Sequence, residues 1–312
     1  MKIVFLDSGS LPTPLPRPEQ ATTWLERPST TPDEVVAALE GADIAITNKV
    51  AIRAEHLNQL PQLKLICVAA TGYDCIDVAA CRDRGVVVSN VPAYSTRSVS
   101  EAVIGSIFAL RRHQVSYLVA SREWPTSAHF CVHKQPIKDI AGSVMGIVGK
   151  GSIGAATGRL AEALGMTVLY AEHAQATAVR DGYTPFEEVL AHADVLSLHC
   201  PLTPQTAKLM GRSQFLRMKR GALLINTARG GLIDEKALLD ALNSGSLGGA
   251  ALDVLDGEPP AADHPLLKTQ HANLLITPHV AWASTSSIKS LCDVISSNIR
   301  NFATGKPQNV VS

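Results

Sequence analysis

The sequence predicts an α/β protein with a doubly wound parallel sheet and a second, smaller α/β domain. Short apolar runs alternate with amphipathic segments along most of the 312 residues, which is the pattern of parallel strands joined by helices. A chain of this length is long enough to form two separate cores. Near the middle, one strand-like run leads into a glycine-rich turn at Gly149, Gly151 and Gly154.

Composition narrows the range of functions. Hydrophobic residues make up 46%, charged residues 18%, and the formal net charge is zero, so we expect neither nucleic acid nor a membrane as a partner. No apolar run is long enough to span a bilayer, which predicts a cytoplasmic protein. The six cysteines include no C-x-x-C pair, and we expect reduced thiols and no metal site, although His129, Cys131 and His133 lie close together.

The first ninety residues have the pattern of the smaller domain. Strand-like segments cover residues 3–7, 43–47, 63–70 and 86–91, and helical segments cover 32–40 and 54–59. The last helix, 286–302, is expected to return to this domain. The predicted domains are therefore 1–95 with 285–312, which is discontinuous, and 96–284.

Residues 144–172 have the order strand, glycine turn, helix, strand and acid. Gly149 would allow the tight turn, Gly151 the approach of a pyrophosphate, and Gly154 close packing of the helix on the strand. Glu172 lies where an acid bonds an adenosine ribose, and a carboxylate there would favour NAD over NADP. A plain glycine-rich turn and an S-adenosylmethionine site are the alternatives. Lys150 is expected to be exposed.

The remaining segments complete a sheet of about six strands. Strands are predicted at 166–170, 194–199, 222–227, 249–254 and 273–277, with helices at 98–112, 185–192, 213–218 and 235–243. Residues 113–143 have no clean period yet contain Tyr117, Trp124 and Phe130. We interpret this segment as a lid or as an arm that packs on another subunit.

One ionisable residue follows each of three strands: Arg229, Glu258 and His279. Ligands of open parallel sheets bind beyond the carboxyl ends of the strands. Arg229 could hold a substrate carboxylate, His279 could exchange a proton with a carbonyl oxygen, and Glu258 could orient the imidazole. A surface arginine, a solvated turn and a core histidine are the plainer interpretations.

These residues lie within segments that resemble the D-isomer-specific 2-hydroxyacid dehydrogenase family along almost the whole chain. The matching segments are GKGSIG (149–154), SLHCPLTPQT (197–206), LLINTARGGLIDEKAL (223–238), ALDVLDGEPP (251–260) and ITPHVAWAS (276–284). The resemblance implies a Rossmann domain that binds NAD, a flavodoxin-like substrate domain, and Arg229, Glu258 and His279 as the catalytic set.

Further site residues are carried over from the same resemblance. Cofactor contacts are implied for Gly149, Gly151, Ser152, Ile153, Gly154, Glu172, His199, Cys200, Pro201, Thr227, Ala228, Arg229 and Asp253. Substrate contacts are implied for the backbone N–H groups of Thr71 and Gly72, and for Arg229 and His279. Residues 113–143 would form the dimer arm of a homodimer.

The segments 90–101 and Trp282 look most like the glycerate dehydrogenase or hydroxypyruvate reductase branch, although Asp74 replaces the Asn common there. Reduction of hydroxypyruvate or glyoxylate to D-glycerate or glycolate is therefore expected. The alternatives are reduction of pyruvate or a 2-keto-gluconate, an NAD-sensing interaction protein, and a methyltransferase that uses S-adenosylmethionine. The last would leave the three strand-end residues unexplained.

Overall fold

Two parallel sheets, one of five strands and one of six, organise the chain. The computed structural model describes residues 1–269 and 271–311; Ser312, the last residue of the predicted first domain, lies outside them. One unit comprises Met1–Ser95 and the chain from Ala283 onward, and the other comprises Thr96–Trp282. The predicted boundaries were 95/96 and 284/285. Assignment of substrate binding to the first unit stays a prediction.

The first unit contains the five-stranded sheet. Its elements in this part of the chain are β1 (Lys2–Phe5), β2 (Thr23–Glu26), α1 (Val35–Leu39), β3 (Ile44–Thr47), α2 (Ala54–Leu57), β4 (Leu65–Val68), α3 (Val78–Asp83) and β5 (Val87–Ser89). The strand order β2-β1-β3-β4-β5 is the flavodoxin order. This confirms the flavodoxin-like architecture that the resemblance implied.

Two elements of this unit were not predicted. The strand β2 pairs with β1 at the sheet edge and has no buried residue, so its sequence lacks the apolar pattern of an interior strand. The helix α3 buries only Cys81, and Asp77 caps it by accepting a hydrogen bond from the Ala80 N–H at 3.0 Å. Both elements depend more on their neighbours than on apolar periodicity.

The second unit contains the six-stranded sheet. Its elements are α4 (Thr96–Arg111), α5 (Gln114–Ala120), β6 (Val144–Val148), α6 (Ser152–Ala163), β7 (Thr167–Ala171), α7 (Phe186–His192), β8 (Val195–Leu198), α8 (Arg212–Arg217), β9 (Ala222–Asn226), α9 (Glu235–Asn243), β10 (Leu247–Leu252), α10 (Pro265–Lys268) and β11 (Leu274–Ile276). The order is β11-β10-β9-β8-β6-β7, and every pair is parallel.

A single parallel bridge between Ala171 and Thr184 continues this sheet beyond β7. Thr184 thus occupies the place of a third strand in the doubly wound order. The strand order reverses between β6 and β8, so their carboxyl ends form the switch point at which such sheets bind nucleotides. The six-stranded doubly wound sheet is confirmed.

Both faces of the six-stranded sheet are covered. Leu196, Leu224 and Leu252 belong to a buried cluster with residues of α7, α8 and α9. Met145 and Ile225 belong to the cluster on the opposite face, with residues of α4 and α6. Alternate residues of one strand therefore serve two cores, which explains the continuous apolar runs. Within the described residues, no helix has the length and apolar character needed to cross a membrane.

The last helix, α11 (Thr285–Ala303), belongs to the first unit, in agreement with the predicted return of segment 286–302. Ser284 caps it by accepting a hydrogen bond from the Ser287 N–H at 3.2 Å. Its Asn298 side chain, 1% exposed, donates to the Asn90 carbonyl at 2.9 Å. This buried amide contact holds α11 at the end of β5.

Candidate active site

Two of the three strand-end residues are in direct contact. The Nδ1 atom of His279 lies 2.6 Å from Oε2 of Glu258, and the other carboxylate oxygen accepts a hydrogen bond from the Leu255 N–H at 3.0 Å. Both side chains are partly exposed, 27% for His279 and 33% for Glu258. The carboxylate is therefore fixed by the backbone of its own loop and in turn orients the imidazole.

Arg229 follows β9, which lies next to β10 in the sheet. The buried Asn226 side chain holds this strand end, because it donates to the Arg229 carbonyl at 2.8 Å and accepts from the Ala228 N–H at 3.0 Å. A Cβ atom on Gly230 would lie 2.0 Å from the Leu255 carbonyl carbon. The loop of Arg229 thus packs directly against the loop that leads to Glu258.

The His279 loop is held by the buried Asp253. Its Oδ1 accepts from the Thr277 hydroxyl at 2.5 Å and the Val280 N–H at 2.9 Å, and its Oδ2 accepts from the Ala281 N–H at 2.9 Å. His279 has a φ of +54°, an uncommon conformation for a residue with a side chain. Asp253 stabilises the turn that positions the imidazole, and its contact with the nicotinamide stays a prediction.

The glycine turn has the geometry that its predicted roles need. Gly149 has a φ of +102°, and a Cβ atom there would lie 2.7 Å from the His199 carbonyl carbon. A Cβ on Gly154 would lie 2.0 Å from the Gly149 carbonyl oxygen. At Gly151 a Cβ would meet no atom within 4 Å, so this side of the turn is open for a pyrophosphate.

The start of α6 adds donors to this open side. Gly151 is the N-cap residue and supplies no side-chain cap, so the first N–H groups of α6, from Ser152 and Ile153 onward, are suited to bind an anion. The buried hydroxyl of Thr227 at the end of β9 has no hydrogen-bond partner within the described residues. These features fit a dinucleotide.

The segment after β8 is largely uncharged. Burial lowers the pKa of His199 to about 4, and its Nε2 lies 2.9 Å from the Ser197 hydroxyl. Burial also raises the pKa of the Cys200 thiol to about 11. A neutral surface of this kind suits an adenine ring better than a phosphate. The cofactor roles of His199, Cys200 and Pro201 remain predictions.

Glu172 lies at the end of β7, as predicted, but its carboxylate already has protein partners. Arg180 donates to it from Nε at 2.8 Å and from Nη2 at 2.7 Å, and these contacts are the largest cause that lowers the pKa of Glu172 to about 2. The prediction of NAD preference assumed a carboxylate free to repel a phosphate. Because the Glu172 carboxylate is paired with Arg180, it is not free in this way.

The predicted substrate loop lies in the first unit. The Thr71 hydroxyl donates to the Val91 carbonyl at 2.8 Å, and the Asn90 side chain donates to the Thr71 carbonyl at 2.7 Å. Within residues 1–269 and 271–311, the N–H groups of Thr71 and Gly72 have no hydrogen-bond partner. They therefore have the donor capacity that a carboxylate ligand requires.

Comparison with known proteins identifies the family. Residues 104–281 match the NAD-binding domain of the D-isomer-specific 2-hydroxyacid dehydrogenases. A putative 2-hydroxyacid dehydrogenase of Haemophilus influenzae is 49% identical over 97% of this chain and 98% of its own length. The chain belongs to this family. It is an NAD-dependent oxidoreductase of the 2-hydroxyacid dehydrogenase type.

Two further relatives resemble this dehydrogenase over its full length. A glycerate dehydrogenase of Methylorubrum extorquens is 47% identical over 99% of this chain and 98% of its own. An acyclic imino acid reductase, solved in complex with NADPH and D-Arg, superposes with a TM-score of 0.88 at 29% identity, covering 100% of both chains. The dinucleotide-binding features of the glycine turn agree with the family match.

The sequence did not reveal which residues hold the loops of the candidate site in place, and it named Asp253 only for a contact with the nicotinamide. Asn226 connects the end of β9 to the loop that follows it. Asp253 connects the end of β10 to the loop after β11, and Asn90 connects the end of β5 to the loop after β4. A polar residue within or directly after an apolar strand was the available signal, as in LLIN at 223–226 and ALDV at 251–254. Such a residue needs a partner when it is buried, but its partner depends on the fold.

Proposed function

We propose that this dehydrogenase reduces hydroxypyruvate or glyoxylate with NADH, giving D-glycerate or glycolate. The observation that carries the proposal is the 2.6 Å contact between His279 and Glu258 at neighbouring strand ends, with the Arg229 loop packed beside it. The similarity to the glycerate dehydrogenase of Methylorubrum extorquens over almost the whole length supports the choice of hydroxypyruvate.

The bound cofactor supplies the hydride in reduction and accepts it in oxidation. Arg229 would pair with the substrate carboxylate and polarise the adjacent carbonyl. His279 would donate the proton on Nε2 to the carbonyl oxygen, while its Nδ1–H remains hydrogen-bonded to Glu258. In the reverse direction the same nitrogen takes the proton from the hydroxyl. The Thr71 and Gly72 N–H groups are proposed to bind the substrate carboxylate.

The test follows NADH absorbance after addition of hydroxypyruvate, glyoxylate, pyruvate or a 2-keto-gluconate. We expect His279→Gln to lower kcat by about 10²–10⁴-fold, since it removes the proton donor, and to leave the Kd for NADH within about threefold. His192→Gln, which changes an exposed histidine on α7, should behave like the wild type.

Retained turnover in His279→Gln would contradict the role of that residue. A higher kcat/KM for pyruvate or a 2-keto-gluconate than for either proposed substrate would replace the substrate assignment but keep the chemistry. NADH binding without turnover of any acid would favour an NAD-sensing role.

We also propose a homodimer in the cytoplasm. Residues 113–143 expose several large apolar side chains, and Phe130 and Leu118 are 90% and 72% exposed. Exposed apolar groups at this density are typical of a surface that another subunit covers. The six cysteines are all free thiols, which supports a reducing compartment.

A further inference from the structure

The carboxylate of Glu172 is saturated by donors from its own chain. Oε1 accepts from the His173 N–H at 2.8 Å and from Arg180 Nη2 at 2.7 Å, and Oε2 accepts from the Arg180 N–H at 3.0 Å and Nε at 2.8 Å. A carboxylate has about four acceptor sites. Glu172 therefore has little capacity left to accept a hydrogen bond from a ribose hydroxyl.

The charge that reaches solvent at the end of β7 is positive. The Glu172 side chain is 3% exposed, whereas that of Arg180 is 55% exposed. The Arg180 guanidinium lies over the Tyr183 ring, with its Cζ 4.1 Å from the ring centroid. This stacking holds the planar group in place and leaves its outer edge accessible.

Lys150 adds a second cation to the same surface. Its Nζ lies 4.4 Å from the Tyr170 centroid and 5.2 Å from the Tyr183 centroid. Glu172 balances one of the two positive charges, so the three groups together carry a net charge of about +1. Across the described residues, no ion pair joins Asp181 to Arg180 or Lys150.

We propose that Arg180 and Lys150 determine nucleotide specificity by accepting a 2′-phosphate, so that the enzyme binds NADPH as well as NADH. This inference rests on the part of the proposed function that places the adenosine ribose at the end of β7. An arginine at this position is suited to a 2′-phosphate, because guanidinium and phosphate form two-pronged, charge-assisted hydrogen bonds. The buried, neutralised Glu172 provides little opposing repulsion.

The first experiment measures binding alone. Titration of the wild-type protein with NADH and NADPH, followed by nucleotide fluorescence, should give Kd values within about tenfold of each other. 2′,5′-ADP should compete better than 5′-AMP, and its advantage should shrink as salt is added, because a phosphate contact is screened. NADPH binding more than a hundredfold weaker than NADH binding would overturn the proposal.

Charge-changing variants test the named residues. Arg180→Gln should weaken NADPH binding about tenfold or more, the size of a lost charged hydrogen bond, and leave NADH binding within about threefold. Lys150→Gln should have a smaller effect of the same sign. Glu172→Gln, which removes the opposing charge, should strengthen NADPH binding relative to NADH binding.

Arg217→Gln is the matched control, because it breaks another partly exposed arginine–glutamate pair, that with Glu187. It should change neither Kd. Arg180→Lys keeps a cation and tests the two-pronged contact if Arg180→Gln fails to fold. Equal effects of Arg180→Gln on both nucleotides would contradict the specificity role.

These binding results do not depend on the 2-oxo acid. A protein that binds both nucleotides but reduces none of the four acids would leave this inference standing and remove the proposed substrates. A protein that binds neither nucleotide would contradict both the inference and the cofactor site on which it rests.

Discussion

At the scale of single residues, we propose that Glu258 acts through His279. Its carboxylate contacts Nδ1, the ring nitrogen opposite the one proposed to exchange the proton, and the Leu255 N–H fixes its other oxygen. We regard Glu258 as a positioning residue for the imidazole. This assignment predicts a change in turnover with little change in substrate binding.

Replacement of Glu258 by Gln should lower kcat about 10–100-fold, because a neutral amide stabilises a charged imidazole less well. KM for the preferred acid should stay within about threefold. Glu258→Ala should be slower still, since it also loses the hydrogen bond. Steady-state kinetics would check this, with Glu187→Gln as a control; a rise in KM at unchanged kcat would contradict it.

The pKa of Glu172 predicts a dependence of stability on pH. The folded-state pKa of about 2, lowered chiefly by the Arg180 side chain, lies below the ordinary value of 4.5. The pair therefore stabilises the fold above pH 4.5, and this contribution is lost as pH falls towards 2. The free energy of unfolding, measured with urea at several pH values between 5 and 3, should fall less steeply with pH for Arg180→Gln than for the wild type. The same dependence of unfolding free energy on pH in both proteins would contradict the predicted contribution of the ion pair.

The sequence identified the residues of the candidate site better than it identified the side chains that they contact. Arg229, Glu258 and His279 were recognisable as candidate site residues because each follows an apolar strand. Parallel strands place their carboxyl ends at one edge of the sheet. Arg180 was not recognisable, because it lies in a loop eight residues beyond Glu172 without any periodic pattern. Its role depends on how that loop folds back, which no local signal determines.

At the scale of elements, close contacts between loops align the strand ends. A Cβ atom on Gly230 would lie 2.0 Å from the Leu255 carbonyl carbon and 2.3 Å from the Asp256 nitrogen. Both neighbours are backbone atoms and have no flexible side chain to move aside. A side chain at this position must therefore separate the loop after β9 from the loop after β10.

Gly230→Ala should destabilise the protein by about 1–3 kcal/mol, the usual cost of overpacking, and should also lower kcat. Gly105→Ala is the control: Gly105 is exposed within α4 and a Cβ there meets nothing within 4 Å, so it should stabilise by about 0.5–1 kcal/mol. Urea unfolding measures both changes. The prediction is wrong if the two variants unfold alike.

The accuracy of the predicted elements depended on their burial. Segments with strong apolar patterns lie at or close to their predicted bounds: α9 covers the predicted 235–243, and β9, predicted at 222–227, covers 222–226. The edge strand β2 and the short helix α5, which buries only Ala120, were not predicted. Neither has enough buried surface to produce a periodic pattern in the sequence.

At the scale of the whole molecule, the arm at 113–143 should determine the oligomeric state. The double variant Leu118→Glu with Phe130→Glu places charges in an apolar contact, which is costly unless the charges are paired. Sedimentation should give about twice the 33.1 kDa chain mass for the wild type and the single chain mass for the variant. Leu216→Glu, at a 70% exposed position on α8, should remain dimeric; a monomeric wild type would contradict the proposal.

The return of α11 to the first unit has a consequence for folding during synthesis. Strands β1 to β5 leave the ribosome first, but the helix whose Asn298 holds Asn90 is made only after the complete second unit. Domains generally fold as units and in the order of synthesis. The second unit can therefore fold first and shorten the effective loop between β5 and α11, which lowers the entropic cost of closing it. Until then, residues 1–95 of the first unit are the part of the chain exposed to chaperones and proteases.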